Sequence, residues 1–244
     1  MTWTWDYSLK ADNKMKDYHY FSINDKKFTS TQLYRHYERQ KKSNKGYITK
    51  DLSYTFNTSN SFENTIFQRK TWVNELPNKQ SITKDFISQF SQLAFIGGDR
   101  PHRSYPSGGA QYYVNIHLLF NENRVEKEIW NQGNVTELNA DTNQLLIKRH
   151  VPWSQIQTTF IQDHLAYTSQ FAIVLSVDFQ SIFEKYNDIS YKLVQQEAGH
   201  IGQNIQLVAT YLGIEAIPLG GFYDLELNKV IGDREITLYA LLLG

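Results

Sequence analysis

The run SYKLVQQEAGHIGQNIQLVATYLG, residues 190–213, constrains the fold more than any other stretch. Val194, Ala198, Ile201, Ile205, Val208 and Leu212 recur at spacings of three and four, which sets them on one stripe of an α-helix. A helix starting near Tyr191 and ending at Gly213 is about 33 Å long, so the rest of the chain must pack around it. Gly213 is placed to cap its C-terminus. Ala198, Gly199, Gly202 and Ala209 are small enough to let a second helix or a flat ligand approach closely.

The segments available to pack on that rod alternate in type. Thr83 is placed to cap a helix whose Phe86, Phe90 and Leu93 share a face, and Gly97-Gly98 ends it. AQYYVNIHLLF (110–120) alternates and is rich in β-formers, so it reads as a strand, as does NQLLIKRH (143–150). FAIVLSVDF (171–179) is a continuous apolar run of strand length and reads as a buried strand. WSQIQTTFIQDHL (153–165) is a helix candidate. EAIPLGGF leads to a short helix near YDLELNKVIG (223–232), and EITLYALLLG (235–244) is a last strand. Helices and strands mix without a strict βαβ rhythm and without internal repeats, which predicts an α+β fold.

Residues 1–65 differ from the rest in being polar and poor in aliphatic side chains. LYRHYERQKK (33–42) has the spacing of a short amphipathic helix, and SNKGYITKDLSYTFNTSNSFEN (43–64) reads as loop. This extension is either a covering arm or a docking segment for a large substrate or partner. Lys plus Arg and Asp plus Glu both number 25, so the net charge is zero and a phosphate-driven nucleic-acid binder is disfavoured. Cysteine is absent, which excludes disulfides, a cysteine nucleophile and a thiolate metal site. No apolar run has the length of a signal peptide or a membrane span, so a cytoplasmic protein is expected.

Few chemical motifs survive inspection. Glu197-x-x-His200 has the spacing of a di-iron ligand pair, but no second Glu-x-x-His exists, so no metal site is expected. There is no Walker A loop, no Gly-x-Gly-x-x-Gly and no Gly-x-Ser-x-Gly. Three glycine pairs remain, at 97–98, 108–109 and 220–221. Glycine pairs let the backbone approach a ligand and aim its N–H groups at an acceptor. In RSYPSGGA, Arg103, Ser107 and the amides of Gly108 and Gly109 suit an anion or a polar ring edge, or else an ordinary tight turn; PLGGF has the same two readings.

RKT (69–71), PSGGA (106–110), EAGHIGQNIQLVATYLG (197–213), IPLGGF (217–222) and LYALLLG (238–244), taken in that order, resemble the nitroreductase-like flavoprotein family. The branch resembled is that of the SagB-type (azoline) dehydrogenases, over about residues 65–244. The resemblance implies a central, mostly antiparallel sheet flanked by helices, in a domain-interlocked homodimer with FMN at the subunit interface. It implies an N-terminal extension over 1–65 and an FMN-binding domain over 66–244. Arg69, Lys70 and Thr71 would grip the FMN phosphate, with Arg100 or Arg103 as a second basic group. Ser107, Gly108 and Gly109 would reach the flavin of the other subunit. Pro218, Leu219, Gly220 and Gly221 would lie over the isoalloxazine, with a glycine N–H toward N5.

For function, the resemblance implies an FMN-dependent dehydrogenase that oxidises thiazoline or oxazoline rings of a ribosomally made precursor peptide to azoles. Such an enzyme acts beside the cyclodehydratase that forms the ring. A base removes a carbon-bound proton, hydride leaves to flavin N5 and dioxygen reoxidises the flavin. The resemblance also implies a Lys-Tyr pair ahead of the Glu of Glu-Ala-Gly-His. Counting back five and four residues from Glu197 gives Lys192 and Leu193, so the lysine matches and the tyrosine does not. Tyr191 stands on the other side of Lys192, about 100° around the helix. Lys192, with Tyr191, is the expected catalytic pair. Two alternatives stay open: an NAD(P)H-dependent flavin reductase of dehydroamino acids, quinones or nitro compounds, and a non-catalytic scaffold in a peptide-modifying complex.

Overall fold

The computed structural model describes residues 22, 24, 50, 52–98, 102–178, 182, 185–186, 189–232 and 235–244. The expected helix over 33–42 and Arg100 lie outside them. Six strands form one sheet in the order β3-β2-β1-β4-β6-β5, with every neighbouring pair antiparallel. They are β1 (Asn115–Phe120), β2 (Val135–Asn139), β3 (Gln144–Arg149), β4 (Phe171–Val177), β5 (Ala216–Leu219) and β6 (Ile236–Leu243). The helices are α1 (Ser61–Gln68), α2 (Lys84–Ser91), α3 (Lys127–Trp130), α4 (Trp153–Ile156), α5 (Asp163–Thr168), α6 (Ser190–Leu212) and α7 (Asp224–Ile231). None of these is long and apolar enough to cross a membrane.

The period of two along the strands divides the core between the faces of the sheet. Ile116, Leu118, Phe120, Phe171, Ile173, Leu175, Leu241 and Leu243 face one side, against α2 and α6. Leu119, Ala172, Val174, Ala240 and Leu242 face the other, with Trp153, Phe160, Leu227 and Ile231. Every residue of β4 is buried, as its unbroken apolar run predicts. α6 buries Val194, Ala198, Ile201, Ile205 and Ala209 and ends at Gly213, which adopts φ 78° and donates its N–H to Ala209 and Thr210. Gly202 lies so close to the ring of Tyr239 on β6 that a Cβ there would stand 2.4 Å from it, so glycine sets how near the helix comes to the sheet.

Tertiary demands overrode local pattern at several places. The strand expected over 110–120 begins only at Asn115, because Ala110 and Tyr112 adopt φ 52° and 54° and fold the preceding residues into a loop. The helix expected over 153–165 is broken: after α4 comes one 3-10 turn, Gln157–Thr159, then Phe160 leaves the helix to bridge Phe222, and α5 follows. Leu93 is 41% exposed instead of sharing the buried face of Phe90. α2 runs on into a π-helical turn, Gln92–Ile96, whose extra residue per turn rotates Ala94, Phe95 and Ile96 inward and Leu93 outward. The stretch expected as loop to residue 64 ends in α1, capped by Asn60, whose side chain accepts the N–H groups of Phe62 and Glu63. α1 packs against α6.

Candidate functional site

The N-terminal half of α6 is tied to the Pro-Ser-Gly-Gly loop through Glu197. Ser107 Oγ donates to Glu197 Oε2 at 2.6 Å, and the Val114 N–H donates to Oε1 at 3.3 Å. The Tyr112 N–H in turn donates to Ser107 Oγ at 2.9 Å. Burial pushes the Glu197 carboxyl above its ordinary range, opposed by the Ser107 and Val114 donors and by the charges of Arg103 and His200. The Glu-x-x-His pair is therefore a loop anchor on its glutamate side, and His200 is exposed.

Arg103 is built into the same wall. Its Nη1 donates to the Tyr105 hydroxyl at 3.1 Å, its Nη2 lies 3.6 Å from Asp141, and its guanidinium stacks 4.6 Å from the Tyr112 ring centroid. Burial pushes the Tyr105 hydroxyl up to about 12, against the pull of Arg103. Beyond this wall, Leu193 packs on Gly108, where a Cβ would stand 3.3 Å from its side chain. Gly109 has φ +63° and a Cβ there would stand 2.4 Å from the Tyr186 hydroxyl.

Tyr186 was not singled out by sequence, yet its hydroxyl donates to the Gly108 carbonyl at 3.3 Å. Lys185 Nζ lies 5.2 Å over its ring. Residues 185–186 are the one Lys-Tyr dipeptide in the chain, a signal that the count back from Glu197 passed over. Of the expected pair, Tyr191 is half-buried and Lys192 exposed. Lys192 projects about 100° around α6 from Leu193, the residue that meets the loop.

The phosphate-gripping segment lies at the other end of α6. Arg69 follows α1 and donates from Nη1 to Gln206 Oε1 at 3.1 Å. Lys70 Nζ stands 4.9 Å over the Trp72 ring, Thr71 is exposed, and the Trp72 N–H donates to the Ala216 carbonyl at the start of β5. Gln206 lines a hollow of about 390 Å³ with Ala198, Gly199, Gln203 and Tyr239. Pro218 and Leu219 complete β5, an edge strand where a residue without an N–H is tolerated.

Gly220 and Gly221 follow, about 13 Å along the strand from Ala216. The Gly221 carbonyl accepts from the Ile161 N–H at 2.9 Å, and the Tyr223 N–H donates to Thr159 at 2.7 Å. Among the described residues, nothing accepts the N–H groups of Gly220 and Gly221. Asn24 crosses this loop: its Nδ2 donates to the Gly220 carbonyl at 3.3 Å and its backbone N–H to Asp224 Oδ2 at 2.9 Å. Burial pushes the Asp224 carboxyl up to about 6, against the backbone N–H donors of Asn24 and Asp224; no ionised side chain contributes.

Cations at one end of β5 and unpaired glycine amides at the other suit a molecule with a phosphate at one end and a flat, acceptor-bearing ring at the other. The FMN expected from the sequence fits that donor set. The Pro-Ser-Gly-Gly loop meets α6 away from the phosphate end of that set. Leu193 and Gln206, which mark the two places on α6, are thirteen positions and so about 20 Å apart.

A third polar group was not anticipated. His117 Nε2 lies 2.8 Å from both Ser176 Oγ and Glu235 Oε2, and Ser176 also bonds Glu235. Burial raises the Glu235 carboxyl, but hydrogen bonds and charge from His117, with Ser176 and Asn115, outweigh it and hold the group at about 2. These contacts fasten the start of β6 to β1 and β4.

The chain belongs to the nitroreductase family, whose model matches residues 69–244. It is thus a nitroreductase-family oxidoreductase, and members of that family are flavin-dependent, using FMN. A nitroreductase-type protein of Methanocaldococcus jannaschii is 24% identical over 65% of this chain and 80% of its own length. Among solved structures, a chain of the E. coli microcin synthetase McbBCD complex with truncated pro-MccB17 bound matches with TM-score 0.77 and 19% identity, over 96% of this chain and 92% of that one. A nitroreductase-type structure from Ralstonia eutropha matches with TM-score 0.60 and 15% identity, over 75% and 81%. These likenesses bear out the α+β nitroreductase-like fold.

Proposed function

We propose that the protein is an FMN-dependent dehydrogenase of the SagB type, oxidising azoline rings of a ribosomally made precursor peptide to azoles. The observation that carries this reading is the extent of the structural match. A chain of the microcin synthetase complex with truncated pro-MccB17 bound matches over 96% of the protein, whereas the nitroreductase-type structure matches over 75%. The longer match to a complex holding a pro-peptide suits a chain that meets a precursor peptide or a ring-forming cyclodehydratase.

In this reading Arg69, Lys70 and Thr71 hold the phosphate, and the fork of Arg69 suits it best. Bound FMN supplies hydride acceptance at its N5. The open amides of Gly220 and Gly221 hold the ring edge, with Pro218 and Leu219 setting the strand that carries them. The loop of Ser107, Gly108 and Gly109 meets α6 at Leu193, about 20 Å along the helix from Gln206 at the phosphate end, which favours a homodimer in which this loop serves the partner subunit's site. Arg103, held by Tyr105, Tyr112 and Asp141, stiffens the loop instead of meeting the phosphate.

Two lysine–tyrosine pairs compete for the base that takes the carbon-bound proton. Lys192 with Tyr191 is the pair obtained by counting back from Glu197. Lys185 with Tyr186 has its hydroxyl already on the glycine loop, and we assign it the role in preference. The test is the visible spectrum of purified protein and the mass of an azoline-bearing peptide after incubation. A flavin spectrum with loss of two hydrogens per ring supports the reading. Rapid bleaching by NADPH with an unchanged peptide makes the protein a reductase instead, and colourless protein removes both. Lys185→Ala and Lys192→Ala then assign the base: the variant that retains FMN but leaves the ring unoxidised marks it.

A further inference from the structure

We infer that Asn24 and Asp224 are positioning residues that fix the plane of the Gly220–Gly221 peptide and so aim the Gly221 N–H. The inference rests on the functional reading above, in which FMN lies against the glycine pair.

The peptide unit itself couples the two groups. The carbonyl of Gly220 and the N–H of Gly221 belong to one planar trans group and point in opposite directions. Whatever holds the carbonyl therefore sets the direction of the N–H. Glycine on both sides leaves that plane free to rotate, since neither residue has a Cβ to limit φ and ψ. The structure supplies two restraints. Beyond the plane, the Gly221 carbonyl is held by the Ile161 N–H, and the Gln162 amide packs where a Gly221 Cβ would stand, 2.8 Å from its Oε1. At the plane itself, Asn24 Nδ2 donates to the Gly220 carbonyl at 3.3 Å.

Asn24 would be a poor clamp if it were attached only through that bond. Its backbone N–H also donates to Asp224 Oδ2 at 2.9 Å, and Asp224 is fixed in the first turn of α7 with its carboxyl buried. The clasp thus runs from Asp224, through the backbone and side chain of Asn24, back to Gly220, and closes a ring around residues 220–224. The Gly221 N–H, left without a protein acceptor among the described residues, is the group that this ring orients. A donor aimed at N5 favours the oxidised flavin, whose N5 accepts a hydrogen bond, over the reduced one, whose N5 carries its own proton. Asn24 comes from the polar extension, and through it the extension contributes a residue to the cofactor site.

The test measures the midpoint potential of the bound flavin by spectroelectrochemistry in the full-length protein, beside the dissociation constant for FMN. Asn24→Ala releases the carbonyl, and Asp224→Ala releases Asn24. Each should keep FMN bound and raise the two-electron potential by about 15 mV, which is about a threefold change in equilibrium constant. Asp224→Asn keeps an oxygen acceptor and should stay at the wild-type value. If Asp224→Ala does not fold, Asn24→Ala carries the test, since it removes no buried charge. An unchanged potential in Asn24→Ala, with FMN bound as in the wild type, overturns the clasp and leaves the functional reading standing. Wild-type protein that takes up no FMN overturns the reading and the clasp together.

Discussion

The two ends of α6 are built on opposite terms. Toward its N-terminus, polar groups are used up internally: Glu197 holds Ser107 and the Val114 N–H, Arg103 is shared among Tyr105, Tyr112 and Asp141, and the Tyr186 hydroxyl closes on Gly108. Toward its C-terminus and along β5, donors are left open: the Arg69 guanidinium makes one hydrogen bond among the described residues, to Gln206, and the glycine pair at the far end of β5 presents amides with no acceptor among them. A region whose donors and acceptors are matched holds its own shape, whereas one with unmatched donors is waiting for an anion or a ring edge. The contrast teaches that one chain carries a closed wall and an open donor set, which meet α6 about 20 Å apart at Leu193 and Gln206. In the proposed homodimer, the closed wall of one chain would serve the open donor set of the other.

Glu197→Ala should separate the two ends most sharply. It removes a buried acceptor of two hydrogen bonds and leaves Ser107 and Val114 unmatched, so unfolding by urea should show a loss of about 3 kcal/mol. A variant as stable as wild type would end the contrast. Asp224→Asn comes next, with an effect that depends on pH. The folded pKa of Asp224, about 6, lies above its ordinary value, so the group contributes stability below about pH 4 that is lost as pH rises through 6. The amide variant cannot lose it, and should exceed wild type by about 2 kcal/mol at pH 7.5 while matching it near pH 4. A constant difference across that range would mean that the carboxyl titrates normally.

Arg69→Ala tests the open end. Losing one charge-assisted contact to a phosphate should weaken FMN binding about thirtyfold by titration, with thermal stability of the FMN-free protein nearly unchanged. A large stability loss instead would make Arg69 a structural residue. Gly108→Ala should be the mildest. Its new Cβ meets only the mobile end of Leu193 at 3.3 Å, and a cost below about 1 kcal/mol is expected in the same urea assay. A greater cost would show the closed end to be more tightly packed than its hydrogen bonds require.

How much of this was legible in sequence depended on whether the cause was local. α6 was, from its stripe and Gly213, because a helix face and a left-handed cap are set by near neighbours. So was β4, whose seven buried residues need no partner to be recognised. β2 was missed because Thr136 and Glu137 break its apolar character, and β5 because it is four residues long and contains Pro218. The break at Phe160 follows from a bridge to Phe222, and the turn at Leu93 from a π-helical residue that shifts the phase of everything after it. For the site, the glycine pairs and Arg69 stood out because glycine and arginine chemistry is specific. Tyr186, His117 and Asn24 act through residues 59 to 200 positions away, and no local pattern marks them.

The sheet is also unequally finished at its two sides. At β5 the outer edge carries Pro218, which has no N–H to offer a further strand. At β3 the outer edge carries Leu146 and Ile147, 43% and 46% exposed, and the charge of the neighbouring Lys148 is paired to Glu137. Colloidal failure of this protein should therefore begin by strand-to-strand zippering through β3, at the far side of the sheet from the glycine pair. A concentrated preparation would turn turbid while its precipitate still held the flavin and stayed yellow.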